Sequence, residues 1–272
     1  MPRRSAAVLG KPVGHSLSPV LHRAAYQALG LTDWSYTAIE CDSDGLAGLL
    51  ARSGAEVVGY SCTMPLKRQV LRVAGSVSPE AAAIGAGNTL LRGPAGWHAD
   101  NTDWTGIQNA LAAAGLAAGG AVTVLGAGGT AQAALAALPD ADRVTVLVRE
   151  PSRAGELLAT ARRLDRQVSV APLSQPQRWL DADLIIATLP AGAADRYAGL
   201  PFRADQALLD VVYHPWPTPL AGALAAAGAP VVSGAAMLLH QAARQVELMT
   251  GSAAPVEAMR AAMSAAVPGC GV

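Results

Sequence analysis

The chain has 272 residues, with 20 basic and 20 acidic side chains and a net charge of zero. That length holds two domains, or one large α/β domain, each able to bury a core of ordinary size. The balanced charge, with no run of one sign, excludes the electrostatic footprint of a nucleic-acid or polyanion binder and favours a small-molecule ligand.

Apolar β-type stretches alternate with helical ones from residue 5 to about residue 105. The pattern predicts strands at 6–9, 34–39, 57–62 and 88–92, helices at 19–29 and 46–52, and a helical segment at 65–73. After a helix at 105–114, the Gly119-Gly120 pair opens a second series. It predicts strands at 122–125, 144–148, 168–172, 184–188 and 208–212, with helices at 130–138 and 153–163. Two amphipathic helices close the chain at 235–249 and 256–266, separated by Gly251, and their simplest place is against the first series. The alternation predicts two α/β units, each around a largely parallel sheet.

Cys41, Cys62 and Cys270 are scattered without the spacing of zinc ligands or of a disulfide framework, so no metal site is expected and the compartment reads as reducing. Val8-Leu9 is cut off by Gly10, Lys11 and Pro12, so no signal-peptide core develops. No stretch approaches the roughly 20 apolar residues that span a bilayer. A cytoplasmic chain with no nucleic-acid or membrane partner, monomer or homodimer, is the expectation.

Val122-Thr123-Val124-Leu125 runs into Gly126-Ala127-Gly128-Gly129-Thr130-Ala131 and then a helix-forming stretch. A buried strand, a glycine turn and a helix N-terminus make a pyrophosphate site, because backbone N–H groups and the helix dipole face the anion together. At the end of the next strand such folds read the adenosine ribose, and here Arg149 and Glu150 stand side by side with Arg153 one turn later. Two guanidiniums suit the 2′-phosphate of NADP, whereas Glu150 suits the free 2′-hydroxyl of NAD. NADP is the preferred cofactor, with NAD as the alternative.

Of the 20 basic residues only Lys11 and Lys67 are lysine. Lysine, unlike arginine, can take part in proton transfer, so either one is a candidate. Lys67 follows Thr63-Met64-Pro65 in what reads as the first turn of a helix, where the positive end of the dipole opposes an ammonium; such a placement implies exposure or a purpose. Ser18 precedes Pro19 and reads as a helix N-cap, and Ser16 and Ser18 together form a carboxylate cradle at that helix start. In Asn101-Thr102-Asp103, Thr102 or Asp103 serves at least as a cap for the next helix.

In register, the chain shows Gly14-His15-Ser16-Leu17-Ser18-Pro19-Val20-Leu21-His22, Thr63-Met64-Pro65-Leu66-Lys67, Gly85-Ala86-Gly87-Asn88-Thr89 and Asn101-Thr102-Asp103. The Gly126 turn follows, then Tyr213-His214-Pro215-Trp216-Pro217-Thr218-Pro219-Leu220 and Gly234-Ala235-Ala236-Met237-Leu238-Leu239-His240-Gln241. These seven landmarks, in this order over nearly the whole length, resemble the shikimate/quinate dehydrogenase family. The resemblance implies a substrate domain at 1–104 completed by 237–272, and a Rossmann-type NADP domain at 105–236. It implies reversible NADPH-dependent reduction of 3-dehydroshikimate to shikimate, with a quinate or aminoshikimate paralogue using NAD as the alternative. By resemblance, Lys67 and Asp103 are the catalytic pair, and Ser16 and Ser18 hold the substrate carboxylate. Thr63, Asn88, Asp103, Tyr213 and Gln241 surround the ring hydroxyls. Gly126, Ala127, Gly128, Gly129, Thr130, Arg149, Arg153, Thr188, Gly234 and Met237 attend the cofactor. The chain departs from the family's commonest pattern at Arg23 and Ser61 (asparagine in both places), Ala99 (glycine), Ile186 (asparagine) and Glu150 (a small hydroxyl residue).

Overall fold

The computed structural model describes residues 3–175 and 177–272. In chain order the first half carries β1 (Arg4–Gly10), α1 (Ser18–Ala28), β2 (Trp34–Glu40), α2 (Leu46–Arg52), β3 (Val57–Cys62), α3 (Gln69–Val73), β4 (Ser76–Val77), α4 (Pro79–Ile84), β5 (Thr89–Gly93), β6 (Gly96–Asp100) and α5 (Asp103–Ala113). There follow β7 (Gly120–Leu125), α6 (Gly129–Ala136), β8 (Ala141–Val148), α7 (Gly155–Arg163), β9 (Val168–Pro172), α8 (Gln177–Leu180), β10 (Leu184–Ala187) and β11 (Ala207–Asp210). The last elements are α9 (Pro219–Ala226), β12 (Val231–Ser233), α10 (Gly234–Thr250) and α11 (Val256–Ala266). Two compact units result. One comprises the chain up to Asp103 with Leu239–Ala266, the other Trp104–Leu238 with Val267–Val272.

The sheet of the first unit has the order β2-β1-β3-β5-β6-β4. β1 lies between β2 and β3 and is parallel to both. The hairpin β5–β6 turns at Gly96, whose φ of 110° suits glycine, and brings antiparallel pairing into a sheet that the alternation reads as largely parallel. β6 escapes the pattern because its residues Gly96-Trp97-His98-Ala99-Asp100 bury only Ala99. Along β1, Ala7 and Leu9 join one apolar cluster, while Ala6 and Val8 join another with Tyr26 and Tyr36. This period of two is what a strand covered on both faces requires. α11 packs along α1.

In the second unit the order is β12-β11-β10-β7-β8-β9, and every pairing is parallel. Val122, Val124, Val144, Val146 and Ile186 bury on one face, Leu125, Leu147, Ile185 and Leu208 on the other. Strands buried on both faces read as continuous apolar runs, which is why this sheet is conspicuous in the sequence. α9 is capped by Thr218, whose hydroxyl accepts the Ala221 N–H at 3.1 Å and donates to Asp210 Oδ2 at 2.8 Å. Burial raises the Asp210 carboxyl above its ordinary value, against the hydrogen bonds from Val212 N–H and Thr218.

His22, on the inner face of α1, is fully buried and stacks on Tyr36 with ring centroids 4.0 Å apart. Neither ring nitrogen has a partner in hydrogen-bond geometry among the described residues. Burial pushes its pKa down from 6.5 to about 3, and the nearby Gln245 amide offsets this only in part. Folded protein therefore refuses a proton that the unfolded chain accepts. The stability held by neutral His22 is complete above pH 6.5 and drains as pH falls from there toward 3. Denaturant unfolding at pH 7.5 and pH 5 is expected to show wild type losing about 2 kcal/mol more than His22→Phe; equal losses would refute the assignment.

Candidate active site

β3 ends at Cys62, and the chain turns through Thr63 to Arg68 before α3 begins at Gln69. The turn is held by Thr63 N–H on Leu9 O, Leu66 N–H on Thr63 O and Gly87 N–H on Lys67 O. Because Gly87 takes the Lys67 carbonyl, Lys67 stands before the helix and not in its first turn, and α3 has only five residues. The expected opposition between helix dipole and ammonium is thus corrected: Lys67 is placed by the turn. Gly10 is what allows the close approach of β1, since a Cβ there would lie 2.4 Å from Thr63 Cγ2.

Lys67 Nζ donates to Asp103 Oδ2 at 2.6 Å, with side-chain exposures of 20% and 6%. Lys11, the other lysine, pairs with Asp42 at 3.0 Å on an exposed surface. Burial thus separates two lysines that composition ranked equally. Asp103 opens α5, and its N–H donates to Asn101 Oδ1 at 2.9 Å. The Asp103 carboxylate is left to side chains: Oδ1 accepts from Asn88 Nδ2 at 2.8 Å and Oδ2 from Lys67. Asn88 Nδ2 also lies 2.9 Å from Thr102 Oγ1 and 3.2 Å from Gln241 Oε1. Five of the expected residues, Thr63, Lys67, Asn88, Asp103 and Gln241, thus belong to one unit, the last four joined by these hydrogen bonds.

α1 begins at Ser18 itself with Leu17 as its cap, and no side-chain cap bond forms there. The reading of Ser18 as N-cap is corrected. Ser16 Oγ instead accepts the Ser18 N–H at 3.3 Å, and the buried Ser18 hydroxyl faces the Tyr36 phenol. Both serines thus sit at the N-terminal end of an eleven-residue helix.

The second unit holds the remaining candidates. β7 leads into Gly126, with φ of 104°, where a Cβ would lie 2.7 Å from Thr188 Oγ1. Thr188 Oγ1 donates to Leu125 O at 2.7 Å, tying the ends of β10 and β7 together. At Gly128 a Cβ would meet nothing within 4 Å, so the approach there is open. Gln132 N–H bonds Gly128 O to begin the α6 ladder, and the N-terminal turn of Gly129 and Thr130 precedes it. Arg149 and Glu150 are exposed at the end of β8, and Arg153 Nε binds Glu150 Oε2 at 2.9 Å. Arg153 lies in a short 3₁₀ turn ahead of α7 and not in the helix expected at 153–163, because its N–H bonds Glu150 O. Tyr213 follows β11 in a loop anchored by Asp210, and burial raises its phenol above its ordinary pKa. Gly234 admits no side chain, since a Cβ would lie 2.0 Å from Val211 O. Met237 is buried in the core of this unit.

Residues 8–90 match the family model described as the shikimate dehydrogenase substrate binding domain, and 234–263 match the shikimate 5′-dehydrogenase C-terminal domain. Over 96% of its length the chain is 38% identical to a shikimate dehydrogenase (NADP(+)) of Citrifermentans bemidjiense, covering 94% of that protein. The chain belongs to the shikimate dehydrogenase family. The crystal structure of Mycobacterium tuberculosis shikimate dehydrogenase is 44% identical and superposes with a TM-score of 0.88, covering 97% of this chain and 99% of that one. A quinate dehydrogenase from Corynebacterium glutamicum in complex with NAD superposes at 0.85 with 25% identity, covering 97% and 99%.

The departures from the shikimate dehydrogenase family's common pattern have local explanations. Arg23 Nε donates to Tyr36 O at 2.8 Å, and Ser61 is bonded to both Tyr36 and Gln245. Ala99 and Ile186 are fully buried among apolar neighbours. Sequence reasoning missed Tyr36, Thr89 and Gln245 as polar members around the site. The four-residue spacing of Gln241 and Gln245 on α10 was the available signal. Among the described residues no group of three or more His, Cys, Asp or Glu is placed to hold a metal ion, and no helix is long and apolar enough to cross a membrane.

Proposed function

We propose that this chain catalyses the reversible NADPH-dependent reduction of 3-dehydroshikimate to shikimate, in the cytoplasm, within aromatic amino acid biosynthesis. The observation that carries the reading is the Lys67–Asp103 pair, 2.6 Å apart and largely withdrawn from water, in a chain whose relatives bear the matching name. Three buried free thiols suit a reducing compartment.

The glycine turn fits a dinucleotide: Gly126 needs its positive φ, Gly128 leaves open space, and the α6 N-terminus faces the same turn. Gly126, Ala127, Gly128, Gly129 and Thr130 would hold the pyrophosphate, Arg149 and Arg153 the 2′-phosphate, and Thr188, Gly234 and Met237 the nicotinamide end. When bound, NADPH supplies the hydride that adds to the ring carbonyl carbon. Lys67 acts at the oxygen of that carbonyl: its ammonium donates a hydrogen bond, stabilises the negative charge that develops, and delivers the proton. In the oxidative direction the neutral amine takes the hydroxyl proton. Asp103 orients Lys67, and its other oxygen is held by Asn88. Ser16 and Ser18 hold the substrate carboxylate at the N-terminal end of α1, and Thr63, Asn88, Tyr213 and Gln241 hold ring hydroxyls. These contacts fix orientation and contribute proximity rather than bond-making. Glu150 competes with a cofactor phosphate for Arg153, so NADP preference rests chiefly on Arg149.

Incubating purified protein with shikimate and with quinate, each with NADP and with NAD, and following nicotinamide absorbance tests the reading. Shikimate with NADP is expected to give the highest kcat/KM; turnover of quinate with NAD alone would replace the proposal with the paralogue activity. Lys67→Ala is expected to lower kcat by about 10²- to 10⁴-fold with a much smaller change in KM, and near-normal turnover would remove Lys67 from the chemistry. Ser16→Ala and Ser18→Ala should mainly raise KM for shikimate, measured by initial rates, while unchanged KM in both would end their assignment to the carboxylate.

A further inference from the structure

Behind the Lys67–Asp103 pair runs a chain of buried hydrogen bonds whose donors and acceptors are fixed in one direction. Tyr36 Oη donates to Ser61 Oγ at 2.6 Å, and Ser61 Oγ donates to Gln245 Oε1 at 2.6 Å. A serine hydroxyl has one proton, so with Tyr36 donating into it, Ser61 must give its own to Gln245. Gln245 therefore faces Ser61 with its oxygen and turns its amide nitrogen to Thr89 Oγ1 at 2.9 Å and Asn88 O at 3.2 Å. Thr89 Oγ1, already accepting, passes its single proton to Asn88 Oδ1 at 2.8 Å. The Thr102 N–H, which can only donate, reaches the same oxygen at 2.8 Å. Asn88 then has its nitrogen directed at Asp103 Oδ1 at 2.8 Å, while the other carboxylate oxygen receives Lys67.

We propose that Thr89 and Gln245 are positioning residues for the reaction, holding the Asn88 amide in the one orientation that donates to Asp103 and so fixing where Lys67 Nζ sits. The proposal rests on the reading of Lys67 as the proton donor. The reversed Asn88 amide would set its oxygen against a carboxylate oxygen, two acceptors with no proton between them. Thr89 is 0% and Gln245 1% exposed, so neither side chain touches substrate, and any effect on turnover passes through Asn88. In this chain the link through Ser61 also ties Gln245 of α10 to Tyr36 of β2, so one wire of side chains carries the orientation from the strands to the reacting pair.

Thr89→Val keeps the shape and removes the hydroxyl; Thr89→Ser keeps the hydroxyl. Initial rates with shikimate and NADP, across pH, are expected to show kcat about tenfold lower in Thr89→Val, with KM for shikimate within about twofold of wild type and the kcat pH profile displaced. Thr89→Ser should recover most of the turnover and the wild-type profile. Valine and serine variants whose kcat values agree within about threefold would overturn the proposal, whatever their thermal midpoints. Should Thr89→Val fail to fold, Gln245→Met carries the same expectation: reduced kcat, little change in KM and a displaced profile support it, and wild-type kcat overturns it. The two readings fail separately, because an active Lys67→Ala variant would sink the proton-donor role itself, while an inactive one beside an unaffected Thr89→Val sinks only the positioning role.

Discussion

Withdrawal of the Lys67–Asp103 ion pair from water sets the terms for everything around it. A carboxylate at 6% exposure needs partners that replace its lost hydration. Here both oxygens are supplied, one by the ammonium and one by the Asn88 amide. That requirement reaches outward: Asn88 needs donors for its own oxygen, which Thr89 and the Thr102 N–H provide, and Thr89 needs the Gln245 amide. A pair so enclosed is fixed in geometry and sits where the local dielectric is low, the setting in which a hydrogen bond is electrostatically strong.

The backbone around the pair is shaped by close approach. Gly10 lets the end of β1 pass Thr63, and Gly87 donates its N–H to Lys67 O. In the second unit, Gly126 and Gly234 meet neighbouring atoms too near for any Cβ, the first beside Thr188 and the second beside the Val211 carbonyl. Each of these glycines therefore has a steric reason that holds with or without a ligand. Gly128 is the contrast, with nothing near it, which is the condition for an approaching phosphate.

Charged side chains of both signs meet at the end of β8. Arg149 and Arg153 together suit a phosphate, yet Arg153 is engaged by Glu150 across an exposed 2.9 Å contact. Exposed pairs of this kind are worth little and rearrange readily, so the Glu150 contact does not lock the Arg153 guanidinium in place. Burial, by contrast, makes the Tyr36–Ser61–Gln245 connection directional and costly to break.

Local spacing sufficed wherever the physics is local. The runs at β7, β8 and β10 declare a sheet buried on both faces, the Gly126 turn declares a strand entering a helix, and the order of the motifs pairs Lys67 with Asp103 by resemblance. What needs more than one segment stayed hidden. β6 buries a single residue, so its hairpin leaves no period to read. The start of α3 depends on Gly87 taking the Lys67 carbonyl, and the α1 cap on how Ser16 folds back. Lys11 and Lys67 are alike in composition and differ only in burial. The α/β class was legible in the sequence alone, and the two units, the glycine turn and the candidate pair were expectations drawn from it. Tertiary structure alone decided which lysine is enclosed and which way Asn88, Thr89 and Gln245 point, because burial and hydrogen-bond direction are set by residues as far apart in the chain as Ser61 and Gln245.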